Sequence, residues 1–193
     1  MLAGLPVEAD GLDPSWAIEQ PKETGATFAE NARQKALHYA RATGRWCLAD
    51  DSGLVVDALG GRPGVLSARY AADLCSPGAA RQQIDAANNA KLLAEMKDVP
   101  EGRRTARFVC HLALSDGERI LIETSDTIEG RIGYEPIGSN GFGYDPIFIA
   151  DQTGCTTAQL TPEEKNQISH RGKAARRFAS LLRELLGRIE ATD

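Results

Sequence analysis

The chain has 193 residues, 42% hydrophobic and 25% charged, which is ordinary globular usage and enough length for one domain with a buried core. A formal net charge of −5 argues against a general nucleic-acid binder, and no apolar run reaches the roughly 18 residues that a membrane-spanning helix needs. The start MLAGLPVEAD lacks a secretory signal, and Cys47, Cys75, Cys110 and Cys155 form no CxxC pair, so a cytoplasmic protein with reduced thiols is expected, not a disulfide scaffold or zinc site.

Residues 1–22, with prolines at 6, 14 and 21, read as a short strand followed by loop. Thr27 and Glu30 form a capping box, and Phe28, Ala32, Ala36 and Tyr39 or Ala40 recur at helical spacing up to the stop signal at Gly44. Asn31, Lys35 and His38 share a different, polar face of that helix. Trp46 to Ala49 and Leu54 to Leu59 read as strands on either side of Asp50-Asp51-Ser52-Gly53. Ser76 and Pro77 are expected to open a second helix, supported by Ala80, Ile84, Ala87, Leu93 and Met96. Strands are then expected over Arg107–Leu114 and Arg119–Thr124, joined by the turn Ser115-Asp116-Gly117-Glu118, and over Thr127–Ile132 and Tyr144–Ala150. Thr161-Pro162-Glu163-Glu164 is a second capping box, and Ser169 can cap a last helix with the stripe Ala174, Phe178, Leu181 or Leu182, Leu185 and Ile189. The sum is an α/β protein whose mixed sheet has a long antiparallel section flanked by helices.

Four segments could carry chemistry. Asp50-Asp51-Ser52-Gly53 is either a hairpin turn or a pair of carboxylates at a sheet margin, where strand alternation turns at most one toward a given site. Glu23 is either a solvated loop residue or half of a magnesium site, which takes one or two carboxylates together with water and phosphate oxygens. Gly138-Ser139-Asn140-Gly141-Phe142-Gly143-Tyr144-Asp145 is either a packed turn or a ligand loop whose rings stack on a base. Lys165, His170 and Arg171, near two helix starts, are either a solvated basic face or an anion grip. Neither a Walker A loop nor a GxGxxG fingerprint is present.

Together these segments resemble the inosine triphosphate pyrophosphatase family, also described as dITP/XTP pyrophosphatases. The resemblance rests on Glu23-Thr24-Gly25-Ala26-Thr27-Phe28 with Glu30-Asn31-Ala32, on Ala49-Asp50-Asp51-Ser52-Gly53-Leu54, and on Gly60-Gly61-Arg62-Pro63-Gly64 leading to Ser67-Ala68-Arg69-Tyr70. It continues through Gly141-Phe142-Gly143-Tyr144-Asp145-Pro146 and Ser169-His170-Arg171-Gly172, in the family's order and over nearly all of residues 20–180.

The resemblance implies a two-lobed domain with a central cleft. The implied activity is Mg2+-dependent hydrolysis of non-standard purine nucleoside triphosphates (ITP, dITP, XTP) to monophosphate and pyrophosphate, by a cytoplasmic homodimer with no nucleic-acid or membrane partner. It implies that Glu23 and Asp51 hold the metal, that Asp51 is also the base that activates water, and that Lys35 is a catalytic or phosphate contact. It implies that Ser52, Phe142, Gly143, Tyr144, Asp145, Lys165, His170 and Arg171 bind substrate. The family's opening strand and its Ser/Thr-x-Asn-x-x-Lys phosphate loop have no counterpart here, and Leu2 to Glu8 match the end of the helix and the strand that follow that loop. Residues 1–193 are therefore expected to be a single pyrophosphatase domain shortened at its N-terminus. The alternatives are a catalytically impaired nucleotide-binding protein or a pyrophosphatase acting on other nucleotides.

Overall fold

A computed structural model describes residues 6–191 of the chain. The chain divides into two compact units, one made of residues 1–51, 111–125 and 173–193, the other of residues 52–110 and 126–172. Four strands, β1 (Cys47–Val56), β2 (Thr105–Ser115), β3 (Ile120–Ile132) and β4 (Phe148–Ala150), form one sheet in the order β1-β2-β3-β4. The three long strands contribute residues to both units, and β4 pairs antiparallel with β3 through Gly130–Ala150, Arg131–Ile149 and Ile132–Phe148. Helices α1 (Phe28–Thr43), α2 (Arg81–Glu95), α3 (Pro162–Ile168) and α4 (His170–Glu190) complete the α/β architecture expected from the sequence. No helix among the described residues is long and apolar enough to cross a membrane.

In the first unit, α1 starts and stops where its signals stand. Thr27 Oγ1 accepts from Glu30 N–H at 3.2 Å, Glu30 Oε2 accepts from Thr27 N–H at 3.2 Å, and Gly44, at φ +66°, donates its N–H to Ala40 O. The buried alanines Ala32 and Ala36 meet Ala49 and Ala113 with Ile120 beside them, so small side chains let the helix lie close to the strands. Arg33 reinforces that contact with a two-point pair to Glu123 of β3, 2.6 and 3.1 Å, and His111 Nε2 lies 2.9 Å from the same carboxylate. Thr124 Oγ1 donates to Ala174 O at 3.2 Å, tying β3 to the α4 stripe in which Phe178 and Leu182 are buried.

The second unit holds the larger core, with Leu54, Val56, Leu92, Met96, Phe108, Ile128, Ile132, Ile147 and Phe148 among its members. Arg104 lies inside this unit, and no described carboxylate pairs with it. Its guanidinium donates to the carbonyls of Met96, Val99, Ile132 and Gly133, at 2.6–3.2 Å, so the buried charge meets the partial charges of four backbone oxygens. Tyr70 donates to Glu95 Oε2 at 2.6 Å, and burial together with that carboxylate pushes its phenol up to about 12. Burial likewise pushes the Tyr144 phenol upward. Because the folded state holds both protons more tightly, the stability they contribute is full below the ordinary phenol value near ~10 and is lost as pH rises past it. Unfolding at about pH 11 should therefore release extra phenolate absorbance, and Tyr70→Phe should diminish that release. An equal release from both proteins would contradict the assignment.

Several sequence expectations need correction. The two strands placed around Asp50-Asp51-Ser52-Gly53 are one continuous strand, β1, so these residues are extended and do not form a hairpin turn. Residues 57–59, expected to extend the second strand, form a 3-10 turn ending at Gly60, φ +64°. The segments 119–124 and 127–132 are likewise one strand, β3. Helix α2 starts at Arg81, not at Ser76, because Gly78 sits at φ +79° and closes a separate turn, Ala79 N–H to Ser76 O. Strand β4 is only Phe148–Ala150, since the N–H groups of Ile147 and Phe148 both turn back to Tyr144 O. Residues 6–22 contain the 3-10 turn Pro14–Trp16 and no strand, and the part of the expected first strand at residues 1–5 lies outside the described residues. The hairpin turn at Ser115–Glu118 is present, with Gly117 at φ +99° and Asp116 Oδ1 accepting from the N–H groups of Glu118 and Arg119.

Candidate active site

Within the first unit, four polar side chains meet where the middle of β1 passes the polar face of α1. Asn31 and Lys35 stand four residues apart, hence on one side of the helix. Lys35 Nζ donates to Asp51 Oδ1 at 2.6 Å and to Glu23 Oε1 at 3.2 Å, and Asn31 Nδ2 donates to Asp51 Oδ2 at 3.3 Å. Asn31 is itself aimed, because its Oδ1 accepts from Gly25 N–H at 2.8 Å. A Cβ on Gly25 would lie 2.6 Å from that same oxygen, so the loop carrying Glu23 approaches the helix only with glycine there.

The burial of β1 alternates, with Asp51 on the buried side with Ala49 and Gly53, and Asp50 and Ser52 on the other. Asp51 is 9% exposed. Burial pushes its carboxyl above the ordinary carboxylate value, the like charge of Glu23 acts the same way, and the hydrogen bonds from Lys35 and Asn31 oppose both. Burial alone would lower Lys35, but the two carboxylates outweigh it and hold the amine charged well above neutral pH. The group thus combines a carboxylate more basic than one in water with a fixed cation.

Within the second unit, the segment after Gly138 presents one exposed ring on a rigid base. Phe142 is 57% exposed, with Lys165 Nζ 4.8 Å and Arg171 Cζ 5.4 Å from its ring centre. Asp145, 2% exposed, organises the segment, accepting from Phe142 N–H at 2.7 Å, from Thr157 Oγ1 at 2.8 Å and from Lys165 through a short hydrogen bond. Gly141 passes so close that a Cβ would fall 2.0 Å from Asp145 Oδ2. Gly143 takes φ +61°, and Tyr144 is buried with its hydroxyl donating to Ser67 O at 3.0 Å. Tyr144 therefore anchors the segment from below while Phe142 faces outward.

Lys165 comes from α3, capped by Thr161 in the expected box, and His170 and Arg171 from the first turn of α4, where Ser169 Oγ accepts from Gly172 N–H at 3.0 Å. A Cβ on Gly172 would lie 1.9 Å from Asn166 O, so α4 starts tightly against α3 only with glycine at that position. His170 is buried, its ring stacked on Phe108 at 5.0 Å and 8°. Apart from Ser52, which follows Asp51 along β1, the predicted site residues fall in two groups, Glu23, Lys35 and Asp51 in the first unit and Phe142 to Asp145 with Lys165, His170 and Arg171 in the second. Sequence reasoning did not assign Asn31 or Thr157 to the site. The signals for Asn31 are its position one turn before Lys35 and its place in the Glu30-Asn31-Ala32 match.

Among the described residues no cluster of three or more His, Cys, Asp or Glu could hold a metal by itself. Two carboxylates converge on one cation, the Lys35 ammonium, and their hard oxygens suit a magnesium ion that draws its remaining ligands from water and phosphate.

Comparison with known proteins gives a consistent result. The Ham1 family matches residues 1–181. A dITP/XTP pyrophosphatase of Nitratidesulfovibrio vulgaris is 53% identical over 173 residues, which is 89% of this chain and 82% of that protein. One from Nocardia farcinica is 48% identical over 186 residues, 95% of this chain and 85% of that one. The structure of a HAM1 protein from Coxiella burnetii superposes with a TM-score of 0.78 at 41% identity, over 89% of this chain and 84% of that one.

Proposed function

We propose, from the premise that the chain belongs to the Ham1 family, that it hydrolyses non-standard purine nucleoside triphosphates such as ITP, dITP and XTP to the monophosphate and pyrophosphate. The observation that carries this reading is the convergence of Glu23 and Asp51 on one positive centre beside the helix that supplies it. Water attacks the α-phosphorus, the α–β anhydride bond breaks, and pyrophosphate leaves with the bonding electron pair. Asp51 takes the proton of the attacking water, which its buried, raised carboxyl does better than a solvated one. Asn31 fixes the second Asp51 oxygen, so the free lone pairs have one direction. The Lys35 ammonium offsets charge on the phosphates, in a reaction whose catalysis is mostly positioning and neutralisation. A magnesium ion held by Glu23 and Asp51 would supply further neutralisation and acidify the attacking water.

The second group is assigned to the nucleoside. The exposed Phe142 ring offers a face on which a base can stack, Tyr144, Gly143 and Asp145 hold that ring in place, and Lys165 and Arg171 lie beside it. Arginine and lysine present only hydrogen-bond donors. An edge lined with donors pairs with the 6-keto oxygen of hypoxanthine and xanthine, and leaves the 6-amino group of adenine or the 2-amino group of guanine facing another donor. Buried His170 supports the same edge, and Ser52 is assigned a contact beside Asp51. This reading treats residues 1–193 as one pyrophosphatase domain, and the family resemblance adds a cytoplasmic homodimer as its working form.

Initial rates of pyrophosphate release from ITP, dITP and XTP, against ATP and GTP, with and without magnesium, test the proposal. The reading expects the first three to exceed the last two in kcat/KM by about a hundredfold, with activity lost on chelation. Equal rates on all five nucleotides would remove the assigned specificity, and full activity in a chelator would remove the metal.

A further inference from the structure

Helix α2 grips the segment that presents Phe142 at two points of its backbone. Asp85 Oδ2 accepts from Gly143 N–H at 2.9 Å, and Asn89 Nδ2 donates to Gly143 O at 2.9 Å. Asp85 and Asn89 are four residues apart, so one face of one helical turn meets both peptide groups of the same glycine. Gly143 is at φ +61°, a conformation its neighbours could adopt only with strain, and the two bonds hold it there. Asn88 extends the support by accepting from Ala71 N–H at 2.7 Å and donating to Ser67 O at 3.3 Å, the carbonyl that also receives the Tyr144 hydroxyl. The turn containing Asp85, Asn88 and Asn89 thus fixes Gly143 directly and Tyr144 through Ser67.

We infer that Asp85 and Asn89 are positioning residues for the base, holding the Gly143 peptide so that the Phe142 ring is in its stacking position before a nucleotide arrives. The inference rests on the nucleoside-holding role given above to Phe142. Ordering a loop on binding weakens affinity, so fixing it beforehand acts on KM and leaves the chemical step alone. A role confined to stability fits Asn89 poorly. It is 7% exposed, and among the described residues its buried Oδ1 has no hydrogen-bond partner, a desolvation penalty that a leucine of similar size would avoid. What leucine cannot do is donate to Gly143 O.

The test uses the full chain with Asn89→Leu, Asp85→Ala and Asp85→Asn, measuring KM and kcat on ITP, urea unfolding, and exchange of the Gly143 amide hydrogen without nucleotide. Asn89→Leu is expected to keep its folding stability yet raise KM about tenfold with kcat within about twofold. Asp85→Ala should raise KM similarly and speed Gly143 exchange, and Asp85→Asn, whose Oδ1 can still accept that N–H, should recover most of the lost affinity. Unchanged KM in Asn89→Leu and Asp85→Ala, from an active parent, overturns the inference, as does a loss confined to kcat or to stability. A parent that turns over no nucleoside triphosphate overturns the base reading and this inference with it. Gly143 exchange that still responds to Asp85→Ala in that case would locate the failure in the nucleotide assignment and not in the clamp.

Discussion

Asp51→Asn is expected to lower kcat on inosine triphosphate by about a thousandfold while the protein stays folded. The substitution keeps the shape of the side chain and an oxygen for Asn31, but it removes the charge that pairs with Lys35 at 2.6 Å and the basic lone pairs assigned to take the proton. Lys35 retains Glu23 at 3.2 Å, so the amine is not stranded and the fold should lose little. Circular dichroism and the urea midpoint check the fold, and steady-state pyrophosphate release checks the rate. A variant within about tenfold of the parent kcat would show that another group takes the proton.

The second large effect falls on stability. Asp145→Ala should cost about 3–5 kcal/mol, because Asp145 is almost fully buried and its partner Lys165 would be left with its charge uncompensated. Phe142 N–H and Thr157 Oγ1 would lose their acceptor in the same step. Asp145→Asn should cost less, since an amide oxygen still serves one of these donors but cannot balance the ammonium. Urea unfolding of the three proteins measures the difference. A loss below about 1 kcal/mol for the alanine variant would mean that the pair behaves as an exposed ion pair and does not organise the Phe142 segment.

What could be read from the sequence was local. The capping boxes at Thr27 and Thr161 act within four residues, and both helices begin where those boxes stand. The polar face of α1 could be drawn from spacing alone, and Lys35 and Asn31 do project from it toward Asp51. The errors came where local chemistry and the sheet disagree. Asp-Asp-Ser-Gly is turn composition, yet Ala49, Leu54 and Val56 on either side are buried and carry these four through as extended backbone. Pro77 signals a helix start, yet Gly78 in the left-handed region delays it to Arg81. Asp85 and Asn89 were not legible at all. Their partner is the backbone of Gly143, 58 and 54 residues away, and a peptide group leaves no trace in the residue types that bond to it. For the site itself, ordered motifs pointed to residues that the structure gathers into two groups, but not to the arrangement in which Tyr144 is buried and Phe142 exposed.

The central claim is that the chain cuts the α–β bond of a non-standard purine nucleoside triphosphate. Phosphorus NMR of inosine triphosphate incubated with the protein and magnesium addresses it in one experiment, because the two possible cuts give different products. The account predicts inosine monophosphate and pyrophosphate in equal amounts, with no diphosphate at any time. Inosine diphosphate with orthophosphate, or unchanged triphosphate, would contradict it.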